Sequence, residues 1–208
     1  MAFILMSCGF ANSDKHKMME AKEVINMINK GQPVQISDKI ITGDLDFTQI
    51  KDKSVGTDIS LVHNISQNVV FVKCVFMGKV IANREEGMVN DYVNFDHNIS
   101  FVNCDFRNDF CMDDIEVNGN ISFAKSVFRG NNTSLNNIKV KGKAQFWEVV
   151  SEKNFTMVSA HIWDNANFMD AQFQSECSLQ NLICNDLQFS NVKCGGPFDF
   201  SLSTINGN

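Results

Sequence analysis

The nine residues NISFVNCDF that begin at Asn98 return as NISFAKSVF beginning at Asn120. Around this near-copy, apolar side chains fall in pairs separated by one residue. Ile99/Phe101 is followed by Cys104/Phe106, Phe110/Met112 and Ile115/Val117, and Ile121/Phe123 then restarts the cycle. The second members advance by 5, 6, 5 and 6 residues, so one cycle takes 22. The same order runs on through Phe146, Phe168 and Phe189 to Ile205. Alternation with period two turns both members of a pair inward and the residue between them outward. Four such short strands, each followed by a corner, close a four-sided coil. Coils stacked ~4.8 Å apart pair every strand with its copies above and below. One coil cannot bury its own apolar face, so such a chain is stable only as a stack. The spacing therefore predicts an all-β, parallel, quadrilateral β-helix. A three-sided parallel β-helix can have coils of similar length, but four pairs per cycle favour four sides.

Stacking turns the cycle into columns. One inward column reads Phe71, Phe101, Phe123, Phe146, Phe168, Phe189, and a second reads Phe76, Phe106, Phe128, Ser151, Phe173, Cys194. Beside them runs a column of smaller residues, Cys74, Cys104, Ser126, Val149, Ala171 and Val192. Large rings against small neighbours fill an interior without voids. The composition fits this reading. The chain holds 18 Phe against 1 Tyr and 2 Trp, and Phe is the aromatic that needs no hydrogen-bond partner when buried. It also holds 25 Asn, a residue that tolerates the left-handed backbone of tight corners. Gly119, Gly142 and Gly207 each follow a fourth strand by two residues, where a corner with positive φ is expected.

The pattern A-x-F-x-x-x-x-F, with a small or branched residue two before each Phe, resembles the pentapeptide-repeat proteins. The likeness covers residues 34–208 and is strongest from Val69 onward. It implies a right-handed parallel quadrilateral β-helix, although steps alternating between 5 and 6 depart from the family's strict five. At ~22 residues per coil, the region accommodates roughly eight coils and a rod of ~38 Å.

Ahead of the repeat, Asp14 to Lys30 reads as a helix. Met18, Ala21, Val24, Ile25 and Ile28 recur at three- and four-residue spacing. Ser13 or Asp14 is placed to cap its start, and Gly31 and Pro33 end it. It would close the first coil. Further upstream, MAFILMSC resembles a bacterial lipobox. The resemblance implies cleavage before Cys8 and a diacylglycerol on its sulfur, giving a lipid anchor to the membrane. The apolar run is shorter than a signal peptide and lacks a charged leader, so a natural start upstream of Met1 is expected. The organisation read from sequence is thus an anchor and tether over 1–12, a capping helix over 13–32 and a β-helix over 33–208. Within the last, residues 78–92 form an insertion loop, because Phe71 to Phe101 spans 30 residues instead of 22.

Several residues are candidates for a site. Arg84, Glu85 and Glu86 are the charges of the insertion loop, expected to bind a partner. Phe198, Phe200 and Ile205 lie in the last coil and are expected to pair end to end with a second copy. Glu116, Lys139 and His161 should form an outward row on the fourth face. Ser100, Ser122, Gln145, Asn167 and Gln188 should form a flat polar row beside the Phe column. Of the 7 cysteines, Cys74, Cys104, Cys177, Cys184 and Cys194 take inward positions, and Cys111 points outward. No C-x-x-C spacing suggests a metal site, and neither cofactor nor catalytic residues are expected. The net charge of −6 lacks the basic footprint of a nucleic-acid binder. The leading expectation is a non-enzymatic envelope lipoprotein on the periplasmic side or outer membrane, whose β-helix is a scaffold or binds a protein or glycan. One alternative is a cytoplasmic DNA-mimic acting on a topoisomerase, which needs an acidic stripe. Another is a β-helical carbohydrate-active enzyme, which needs clustered outward acidic and basic groups.

Overall fold

Short parallel strands build this molecule because each coil presents the same inward side chains as the one beneath it. The computed structural model describes residues 17–56, 60–86 and 89–207, with the backbone alone at Glu85, Glu86 and Val89. The coil that starts at Ile99 shows the plan. Its strands Ile99–Val102, Asp105–Phe106, Phe110–Cys111 and Glu116–Val117 lie in the first, second, third and fourth walls. The second wall is an 8-stranded sheet and the third a 7-stranded sheet. The first and fourth walls merge into one 14-stranded sheet. They join because His161–Asn167 runs through the corner between them. Its front half pairs with Lys139–Val140 and its back half with Ala144–Gln145, and on its other side it pairs with Ile183–Gln188 across a register shift between Ile162 and Asn165.

In-register partners on the first wall measure the coils. Ile36 pairs with Phe71, Phe71 with Phe101, Ser100 with Ser122, Ser122 with Gln145, Gln145 with Asn167 and Asn167 with Gln188. The intervals are 35, 30, 22, 23, 22 and 21 residues. The described residues thus make seven coils, matching the seven strands of the third wall, and a rod of about 34 Å. The expectation of eight is corrected, because the first two coils consume extra residues in hairpins.

The interior is dry and aromatic. Phe71, Phe101, Phe123, Phe146 and Phe168 are all fully buried. Within this column, neighbouring rings stack with centroids 4.8–5.7 Å apart. Phe76, Phe106 and Phe128 form a second stack at 4.8–4.9 Å. Phe110 of the third wall meets both edge-on, 4.8 Å from Phe106 and 5.3 Å from Phe123. Stacks along the axis and T-shaped contacts across it are the two favourable geometries of the ring quadrupole. The fourth wall contributes aliphatic residues, among them Ile115, Val117, Ile138 and Val140. The buried hydroxyl of Ser126 is satisfied twice. It donates to the Phe101 carbonyl at 2.8 Å and accepts from the Cys104 amide at 2.9 Å.

The corners are of two kinds. Those after the first and third walls hold one residue in the left-handed region, including Asn103, Asp114, Lys125, Asn137 and Glu148, all with φ of 54–61°. The corner after the fourth wall works differently, and the expectation of positive φ at Gly119, Gly142 and Gly207 is corrected. Positive φ among the described glycines is confined to Gly31 and Gly43. The Asn98 side chain accepts from the Asn120 amide at 2.7 Å, and the Asn120 side chain accepts from the Lys143 amide at 2.8 Å. A Cβ on Gly119 would stand 2.5 Å from that Asn98 oxygen. Glycine is required there by crowding.

The helix α1 spans Ala21–Asn29 and buries Ala21, Val24, Ile25 and Ile28 over the first coil. It starts seven residues later than the sequence predicts. Lys17–Glu20 forms a strand that extends the second wall by pairing with Lys39–Thr42, which leaves Met18 exposed. The first turn closes on Glu20, whose amide donates to the Glu23 carboxylate at 3.0 Å. The cap expected at Ser13 or Asp14 lies outside the described residues, as do Cys8 and the tether.

The extra residues of the first two coils are hairpins on the fourth wall. Lys53–Val55 pairs antiparallel with Leu61–Ile65, and Arg84–Glu86 pairs antiparallel with Val89–Phe95. Leu61–Ile65 and Val89–Phe95 lie parallel to each other, so the hairpins stack like the coils beneath them. The insertion loop assigned to 78–92 is corrected accordingly: Val80–Ile81 is an ordinary third-wall strand paired with Phe110–Cys111.

The phase of the repeat makes a direct prediction. Phe123→Ala, which empties a ring from the buried stack, lowers unfolding stability by about 3–5 kcal/mol. Ser122→Ala on the outer surface changes it by less than about 0.5 kcal/mol. Urea denaturation of both variants measures the contrast.

Candidate functional site on the fourth wall

With the interior filled, the exposed groups lie on the outer walls, and the fourth differs most from a flat ladder. The strand Val89–Phe95 overshoots its neighbour Glu116–Val117, to which it pairs only through Asn94 and Phe95. The overshoot leaves a groove of about 320 Å³ at the foot of the hairpins. Val62 and Tyr92 form one side, while Asp114, Glu116, Asn137 and Lys139 form the other, with Asn94 between them. Tyr92 is the single tyrosine of the chain. Its hydroxyl accepts from the Asn90 side chain at 3.2 Å and keeps its own proton to donate.

The expected outward row is present. Glu116 lies opposite Lys139, and Lys139 opposite His161. Its ion pair reaches outside the row. Glu116 bonds Lys141 at 3.1 Å rather than Lys139, and Lys139 has no ion-pair partner among the described residues. Lys141 also stands 4.8 Å above the Trp163 ring, and His161 stacks on that indole at 3.7 Å. Trp163 remains 43% exposed. Tyr92, Lys141 and Trp163 were not legible as site residues, because the two-residue period does not show which outward side chains meet across coils.

Behind the groove, a polar network ties the second hairpin to the body. Arg84 donates to Asp46 at 2.5 Å, and Asp46 also accepts from the Thr48 hydroxyl at 2.6 Å and the Thr48 amide at 3.0 Å. Arg84 is therefore a structural strap, although the sequence marks it as a binding charge. The Glu85 and Glu86 side chains lie outside what is described. His63, buried, bonds the Ile50 carbonyl through Nδ1 at 2.7 Å. A carbonyl only accepts, so Nδ1 carries the proton. Among the described residues its Nε2 has no hydrogen-bond partner, and it sits 3.7 Å from the Asp91 carboxylate.

The other candidates sit apart from the groove. Phe198 and Ile205 lie in the last coil, each 40% exposed. Phe198 and Phe200 border a wholly apolar hollow of about 120 Å³ with Leu187 and Phe189. The polar row Ser122, Gln145, Asn167 and Gln188 is in register on the first wall. Cys74, Cys104, Cys177 and Cys184 are buried as expected, while Cys194 is exposed, a correction that follows from its place in the last coil. Cys111 is partly exposed, yet burial, with help from Asp113 and Asp109, pushes its thiol up from the ordinary value. It is a poor nucleophile. Among the described residues, no three His, Cys, Asp or Glu side chains converge as metal ligands.

Asp113, at the corner after the third wall, accepts from the Ser134 hydroxyl and from the Asn136 amide. Burial outweighs these bonds and raises its carboxyl above the ordinary 3.8. A raised folded-state value means that its contribution to stability is full below about pH 3.8 and is lost as pH rises through the higher value. Asp113→Asn keeps an acceptor and removes the charge. Urea denaturation at pH 3.5 and pH 7 should therefore show the variant gaining on wild type as pH rises.

Comparison of the chain with protein-family models, with curated proteins and with solved structures found no match.

Proposed function

We propose that this β-helix is the binding domain of a non-enzymatic envelope lipoprotein of pentapeptide-repeat type, tethered through Cys8. Its ligand is an extended glycan held along the fourth wall. The groove beside Tyr92 carries this reading. It combines one aromatic side, two amides at Asn94 and Asn137, two carboxylates at Asp114 and Glu116, and the ammonium of Lys139, which has no ion-pair partner among the described residues. Such a set matches a sugar, which offers apolar C–H faces to a ring and hydroxyls to amides and charges. Successive coils set the outward positions of this row ~4.8 Å apart, so an extended chain can run along it. The row continues through His161 toward Trp163, so several sugars have neighbours. A protein partner would call for a larger apolar centre than this groove supplies. The lipid anchor rests on the LMSC sequence and on the polar residues between it and the first described strand.

Isothermal titration against a panel of soluble polysaccharides tests the ligand. At least one binds, and Tyr92→Ala and Lys139→Ala each weaken it about tenfold or more. Failure of every polysaccharide, or binding indifferent to both substitutions, overturns the glycan reading. Labelled palmitate enters the wild-type chain in a bacterial host and is absent from Cys8→Ser. Label in neither removes the anchor.

Self-association is assigned to Phe198, Phe200 and Ile205, whose exposed apolar surface and unpaired strand edges suit a second copy of the same coil. Sedimentation of the wild type should show mass rising with concentration toward a dimer. Phe198→Asp should remain monomeric at the same concentrations.

A further inference from the structure

Cys74 and Cys104 occupy the same inward position in successive coils. The register on both sides proves it: Val72 pairs with Val102 just before them, and Val75 with Asp105 just after. Their Cα atoms are thus one coil spacing apart, ~4.8 Å, inside the ~4.4–6.8 Å that a disulfide spans. The Cys74 thiol donates to the Ile36 carbonyl at 3.6 Å and the Cys104 thiol to the Phe71 carbonyl at 3.7 Å, and both residues are about 1% exposed. No other two cysteines of the described residues share a column. Cys177, Cys184 and Cys194 belong to the third, fourth and second walls.

The placement matters for the fold. The chain between Cys74 and Cys104 is the 30-residue coil that carries the Arg84–Glu86 hairpin. This detour leaves the Phe column beside Phe71 and rejoins it beside Phe101. A bond between the two sulfurs would close the whole detour into a loop and fix one side of the groove to the regular coils above.

We propose that Cys74 and Cys104 form a cross-coil disulfide when the chain folds in an oxidising compartment. The oxidant is a disulfide reagent, of either the protein or the small-molecule class. The Cys74 thiolate attacks one of its sulfurs, forms a mixed disulfide and expels a thiolate. That thiolate takes the Cys104 proton. The Cys104 sulfur then attacks the Cys74 sulfur and expels the second half of the reagent. Two protons and two electrons leave the cysteines, and the reagent departs as two thiols. Because both positions are closed off in the finished stack, the exchange belongs to folding, before the Phe columns seal.

Refolding the full chain from urea in a buffer of reduced and oxidised glutathione tests this. The product is alkylated under denaturing, non-reducing conditions and weighed. Of 7 cysteines, five should carry the alkyl group, since seven minus two are bridged, and peptide mapping should join the Cys74 and Cys104 peptides. The oxidised protein should melt roughly 5–10 °C above the same protein in reductant, as closure of a loop this long constrains the unfolded chain. Cys104→Ser keeps a residue that the same column already accepts at Ser126, and all six of its cysteines should be alkylated. Seven alkylated cysteines in the wild type, or a bridge through any other cysteine, overturns the proposal without recourse to a variant.

Discussion

Everything in this molecule follows from stacking parallel coils in register at one strand spacing. Each inward side chain then has its own column-mate as nearest neighbour above and below. A column must therefore be made of residues that pack against copies of themselves. Phenylalanine does this by ring stacking, as between Phe71 and Phe101 or Phe146 and Phe168. Where the column changes identity, the neighbours adjust. Ser151 stands in the second ring column after Phe128, and Phe128 turns instead to Phe155 at 6.4 Å. Polar inward residues survive when the backbone of the adjacent coil meets their needs, as Phe101 and Cys104 do for Ser126.

The same spacing dictates the corners. A turn in one coil lies directly on the turn below, so side chains there must either climb or vanish. Asn98 and Asn120 climb, each capping an amide of the next coil. Gly119 and Gly142 vanish, since a Cβ would strike an asparagine oxygen at 2.5 and 2.3 Å. The corners after the first and third walls are relieved differently, by a left-handed residue, and there even Leu202 is accepted with φ of 60°. A high asparagine content and a low glycine content are two faces of this division.

The regular coils were legible because burial alone sets their period. Phe101, Phe123 and Ile121 are inward because the alternation says so, and each is fully buried. The boundaries of the helix were less legible. Met18 fits the helical stripe with Ala21 and Ile25, but extension of the second wall by Lys17–Glu20 competed for the same residues and prevailed. The site was the least legible part. Glu116, Lys139 and His161 could be placed on one row, yet the choice of Lys141 as the partner of Glu116 depends on side chains crossing from coil to coil. The first hairpin left a trace that spacing could have exposed: Ile36 to Phe71 takes 35 residues, longer than the interval recognised as an insertion.

That both hairpins fall on one wall, in adjacent coils, is itself a consequence of stacking. An insertion in one coil leaves its outermost backbone without a partner beyond the wall's edge. A second insertion directly above supplies one, as Leu61–Ile65 does for Asp91–Phe95. Burial beneath the hairpins then has to accommodate polar chain, which explains the Arg84–Asp46 strap and the His63 bond to Ile50. An interior of phenylalanine could not do this. A solenoid that is uniform on three walls and elaborated on the fourth keeps its packing constraints and its exposed groove on different residues. Tyr92 and Lys139 can therefore change without disturbing the stack, while Phe101 and Phe123, one wall away, cannot.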